Sequence, residues 1–139
     1  MIYVKVTVKG EPDTAPFRHG FFYADKSDEE LFYNSANVVK EKLDKNLKIN
    51  INEALVFYCA YVIGKLRDDE AINVIQRSAQ NILAPEKVMI GVPESLRKIV
   101  FEVKIDKLPK RRVILKEPIT TSNYILAAES CRCNRTEHS

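Results

Sequence analysis

The chain has little of what chemistry-bearing proteins usually need. Of its 139 residues two are histidine, three are cysteine and four are glycine. Two histidines, His19 and His138, set far apart in presumed loop and tail, cannot build a histidine-rich transition-metal centre. There is no Gly-rich phosphate loop, no Gly-x-Ser-x-Gly, no His-Glu-x-x-His and no Cys-x-x-Cys pair. An odd cysteine count leaves no complete disulfide framework, which fits a reducing cytoplasm. No apolar run approaches the ~18 residues needed to span a bilayer. The opening residues Met1 to Lys5 alternate apolar and polar, unlike the basic flank and apolar core of a secretory signal. A net charge of +3 is too small for a nucleic-acid face. The densest basic run, Lys107 to Arg112, reads as a solvated turn.

What is present is an ordinary globular composition, 45% hydrophobic and 29% charged, enough for one domain with its own core. Cys59 lies in an apolar helical stretch and reads as a small core residue. Cys131 and Cys133 form a lone Cys-x-Cys near His138, short of the roughly four ligands of a structural metal site. Neither has a base placed beside it, so neither is a candidate nucleophile. The acidic pairs Glu29-Glu30 and Asp68-Asp69 sit at expected helix starts, where capping and the helix dipole account for them. No residue is assigned a catalytic, cofactor-binding or metal-binding role.

Hydrophobic periodicity divides the chain. Ile2, Val4, Val6 and Val8 alternate with Tyr3, Lys5, Thr7 and Lys9, the pattern of a half-buried strand. From Gly10 to Ala24 no period is visible, and the stretch, with His19, reads as a loop. Ser27-x-x-Glu30 has the form of a capping box, opening a helix whose stripe is Phe32, Ala36, Val39 and Leu43. Asn46 suits its C-terminus. Asn50 or Asn52 can cap a second helix, apolar on most sides from Leu55 to Leu66 and therefore buried on several faces. Asp68 is placed to cap a third, with Ala71, Ile75, Ser78, Ala79 and Ile82 facing inward. Pro85 fits the start of a fourth helical turn, which Gly91-Val92-Pro93 ends. Ile99 to Ile105 and Arg111 to Lys116 alternate on either side of a short polar turn, a β-hairpin. Strand, three or four helices and hairpin make an α+β fold, with the first strand pairing either with the hairpin or with a neighbouring chain.

Three segments carry a family resemblance over residues 31–119. Leu47-Lys-Ile-Asn-Ile-Asn-Glu-Ala54 resembles a Leu-Lys/Arg-Leu-Asn-Tyr-Pro-Glu-Ala pattern, and Val88-Met-Ile-Gly-Val-Pro-Glu94 resembles Val-Met-x-Gly-Val-Pro-Glu. Glu117-Pro118-Ile119 is similar to a closing Asn/Asp-Pro-Ile. These are the marks of the urease gamma-subunit family. This sequence departs from it at Asn52, at Glu94-Ser95-Leu96 and at Asp68-Asp69-Glu70-Ala71, where the family has Asp-Gly-Lys-Ser. The resemblance implies a gamma-like domain over 25–119, preceded by an extension over 1–24 that holds a β-strand and followed by a flexible tail over 120–139. It implies a cytoplasmic, non-catalytic subunit of a urea-hydrolysing enzyme. That subunit would pack against urease alpha and beta subunits in a trimer of heterotrimers, with two nickel ions on alpha and no cofactor on this chain. The alternative is a diverged, stand-alone interaction or regulatory protein without urease activity.

Overall fold

A computed structural model describes residues 2–10, 17–23 and 26–119, with side chains at 2–10 and 30–119. The order of elements is β1 (Ile2–Lys9), β2 (Phe17–Tyr23), α1 (Lys26–Asp44), α2 (Ile51–Arg67), α3 (Ile72–Ser78), two short 3-10 turns, α4 (Val92–Ser95), β3 (Lys98–Ile105) and β4 (Arg111–Lys116). The α+β expectation holds. So does the N-terminal strand, which pairs with the hairpin of its own chain.

The sheet has four strands in the order β2-β1-β3-β4, all antiparallel. Antiparallel register stacks like on like: Ile2, Val4, Val6 and Val8 lie opposite Ile105, Val103, Phe101 and Ile99. Val113 and Leu115 continue the same face on β4, opposite Phe101 and Ile99. All ten of these side chains are buried, while Tyr3, Lys5, Thr7 and Glu102 on the other face are half-buried and Lys104 is exposed. Each such aliphatic side chain removed from water contributes about 1.5–3 kcal/mol, which is why an eight-residue strand can be held so firmly.

The extended stretch Phe17–Tyr23 is a correction. It lacks a legible alternation, yet its backbone pairs with β1 along its whole length, Val8 with Phe17 through Ile2 with Tyr23. His19 therefore lies in a strand, opposite Val6, and not in a loop. A strand beside a strongly patterned neighbour borrows its register from that neighbour, so its own sequence needs little pattern.

The apolar face of the sheet and the buried side of α2 form one hydrophobic cluster. Ala54, Leu55, Tyr58, Cys59, Val62, Ile63 and Leu66 of α2 are buried, and Val56, Phe57, Ala60 and Tyr61 are partly so, as an all-round apolar helix requires. Helix α1 packs against α2 with Phe32, Ala36 and Val39. Its Ser27 side chain lies outside the described ones. Helix α3 runs along the outer edge of β4. Gln76 Oε1 accepts from the Ile114 N–H at 3.0 Å, and Gln80 Nε2 donates to the Lys116 carbonyl at 3.0 Å. Two amide side chains thereby satisfy backbone groups that an edge strand would otherwise leave open.

The start of α3 also differs from expectation. Asp68 is the C-cap of α2, and the N-cap of α3 is Ala71, which is exposed and makes no side-chain capping bond. The chain leaves α2 through Asp69 at φ 60°, with the Glu70 N–H returning to the Lys65 carbonyl. That is the left-handed exit that glycine favours, and Asp69 stands where the family pattern has its glycine.

Candidate functional site

The segments that carry the family strings meet at one end of the molecule. Ile49 and Val88 form an isolated parallel bridge. The Ile49 N–H donates to the Lys87 carbonyl at 3.1 Å, and the Met89 N–H donates to the Ile49 carbonyl at 2.9 Å. Lys87 Nζ adds a hydrogen bond to Asn46 Oδ1 at 2.8 Å. Asn46 has the positive φ expected of it, 61°. The α1–α2 connection and the segment before α4 are therefore stitched together, although some forty residues separate them in sequence.

Each segment is also fixed locally. Asn50 caps α2: its side chain accepts from the Glu53 N–H, and the Glu53 carboxylate accepts from the Asn50 N–H, both at 2.9 Å. Glu53 is further paired with Lys42 of α1. The Lys42 ammonium, then the Asn50 amide, hold its carboxyl below the ordinary carboxylate range. On the other segment Gly91 adopts φ 93°, a left-handed conformation that only glycine enters without strain. The sequence places Gly91-Val92-Pro93 at the end of a helical turn, and a residue before proline favours an extended backbone. Instead Val92 opens α4, with Pro93 in the first turn, where the missing N–H costs nothing. Burial of Val92 and Pro93 outweighs the local preference. The exit is held as well: the Arg97 N–H donates to the Lys9 carbonyl at 3.1 Å and the Glu117 N–H to the Arg97 carbonyl at 2.7 Å. The third segment, with Pro118 and Ile119 buried, closes on the same framework.

Apolar side chains project from this rigid end. Ile90 is fully exposed, and Leu47 and Met89 are about half exposed at 52% and 46%. All three lie within two residues of the Ile49–Val88 bridge, and large exposed apolar side chains on hydrogen-bonded backbone suit contact with another protein. Lys45 and Lys48 are exposed beside them. The basic turn at the hairpin is less free: Lys110 pairs with Glu102 at 3.8 Å and Arg111 with Asp69 at 3.7 Å.

Among the described residues no three His, Cys, Asp or Glu side chains come close enough together to hold a metal ion. Cys59 is fully buried, and the loss of solvent pushes its thiol up to about 12. Tyr58 beside it is raised by the same cause. Cys131, Cys133 and His138 lie outside the described residues. Among the described helices none is long and apolar enough to cross a membrane.

Comparison with known proteins bears on the same stretch. The family model "Urease, gamma subunit" matches residues 22–119. A urease subunit gamma from Halalkalibacterium halodurans is 32% identical over 92 residues, which cover 66% of this chain and 91% of the relative. A urease subunit gamma from Saccharopolyspora erythraea is 28% identical over 75 residues, 54% of this chain and 75% of the relative. A protein named urease subunit alpha from Campylobacter lari is 25% identical over 99 residues, 71% of this chain but 44% of that longer protein. The segments that meet at the Ile49–Val88 bridge lie within the matched stretch, and the chain belongs to the urease gamma-subunit family.

Proposed function

We propose that this chain is a non-catalytic structural subunit of a nickel-dependent urease, docking on the catalytic alpha subunit and helping to build the hetero-oligomer. The observation that supports this reading is the exposed trio Leu47, Met89 and Ile90 on the backbone framework shared by the two family segments. Evolution of a catalytic site would gather titratable groups in a cleft; this end instead presents apolar side chains with rigid backbone beneath them. The nickel ions and the groups that hydrolyse urea belong, on this reading, to the alpha subunit, and a beta subunit completes the complex in the cytoplasm.

The test is co-expression of the full chain with the urease alpha and beta subunits of the same genome, followed by affinity capture through a tag on this chain. Alpha should be captured by the natural sequence, and the double variant Met89→Ser, Ile90→Ser should lose that capture. Residues like these, central and apolar, cost about 2 kcal/mol or more each when they are interface anchors, roughly a thirtyfold loss. Equal capture by both chains would reject this surface, and no capture by either would reject the urease role.

A further inference from the structure

The family match begins at residue 22, so β1 and all but the last two residues of β2 precede it. The match does include α1 to α4, β3 and β4. Taken by itself, that matched unit has a two-stranded hairpin whose β3 edge carries a row of backbone groups, with an apolar face beside it over α2. In this chain the edge is filled by β1 from end to end, Ile2 opposite Ile105 through Lys9 opposite Lys98. The four β1 side chains on the inner face, Ile2, Val4, Val6 and Val8, are at most 1% exposed.

The far end of β1 is seated as closely as its middle. Lys9 accepts from the Arg97 N–H at 3.1 Å. A Cβ on Gly10 would lie 2.7 Å from the Ser95 carbonyl oxygen and 3.0 Å from the Ser95 Cα, contacts with backbone that cannot swing away. The strand is therefore read by three features: alternating β-branched residues, a fixed register against β3, and a glycine where it passes the end of α4. These are the elements of strand complementation, in which an extended segment completes an unfinished sheet.

We propose that the β3 edge is a strand-acceptor site which this chain fills in cis with residues 2–10. Its ligand class is an extended peptide with apolar residues at every second position followed by glycine. With β1 in place the site is closed, so partner strands cannot add there and assembly must use other surfaces. This inference does not depend on which urease subunit the chain meets.

The experiment uses the full chain and a fluorescein-labelled peptide of residues 2–10. The intact chain should not bind it. Val4→Ala with Val6→Ala weakens β1 without a polar intrusion, and apparent affinity scales with the fraction of molecules whose acceptor is open, so binding should tighten roughly tenfold or more. Val6→Asp buries a carboxylate where no solvent reaches and should expel β1, giving a folded chain that takes up one peptide. A peptide with valine in place of Gly10 should bind clearly more weakly. The idea is overturned if the alanine variant binds no better than the intact chain. It is overturned equally if Val6→Asp abolishes the cooperative fold and peptide does not restore it, for β1 is then an inseparable part of the core. Equal binding of the two peptides would remove the glycine latch.

Discussion

The N-terminal strand and the Leu47–Met89–Ile90 end are opposites. The strand carries no family string, lies outside the family match, and buries every residue on its inner face. The other end carries two family strings, buries Ile49 and Val88 where they join, and leaves Leu47, Met89 and Ile90 exposed. The matched stretch 22–119 thus supplies both that exposed end and most of the core, whereas β1, which precedes it, adds its inner face to the core alone. Stability and recognition are separated in space, and substitutions in the two regions should behave differently.

The largest effect is expected where β1 rests. Phe101 of β3 is fully buried opposite Val6, and Phe101→Ala removes most of a ring from a packed interior. A loss of about 3–5 kcal/mol is expected, visible as a fall in the urea midpoint with little change in slope. A loss under about 1 kcal/mol would mean that the face between β1 and α2 is loosely packed. Gly10→Ala should come next, at about 1–3 kcal/mol, because the new methyl meets Ser95 backbone that α4 holds in place. An unchanged midpoint would show that β1 and α4 can slide apart and that the latch is weak.

Asp69→Gly runs in the other direction. Asp69 is an exposed residue at φ 60°, and its ion pair with Arg111 is long, 3.7 Å, and wet. Restoring the glycine of the family pattern relieves left-handed strain worth about 1 kcal/mol, so thermal stability should rise. A fall would mean that the Arg111 pair contributes more than its geometry suggests.

Most of the scaffold could be read from spacing, because the decisive patterns are short-range. β1, the hairpin, a cap for α2 at Asn50 or Asn52 and the all-round apolar α2 each carry their signal within a few residues, though only the structure decides for Asn50 and its box with Glu53. Asp68 misled because an acidic residue between two helices suits either end, and only the path of the chain decides that it closes α2. Strand β2 was hidden because its pairing is dictated by β1 rather than by its own residues. The Leu47–Met89–Ile90 end was half visible: both strings could be recognised, but their union through Ile49 and Val88 is a contact across some forty residues. The sealing of the β4 edge by Gln76 and Gln80 had no signal at all, since glutamines on a helix face look like ordinary solvated positions.

The smallest effect sharpens the contrast most. Ile90 has no burial to lose, and Met89 is half exposed. The backbone beneath them is held by the Met89 N–H to Ile49, the Val92 N–H to Met89 and the left-handed Gly91, none of which needs those side chains. The double variant Met89→Ser, Ile90→Ser should therefore change the stability of the isolated chain by no more than about 0.5 kcal/mol, the range of ordinary surface substitutions. Differential scanning calorimetry of the isolated chain measures this directly, alongside the loss of alpha-subunit capture. If instead the melting temperature drops by several degrees, the two residues are part of the folded core's cover, and an apparent loss of capture would reflect unfolding. A silent change in the free chain with a large change in the complex is what a surface kept for a partner must produce, and no buried residue of β1 can give that pair of results.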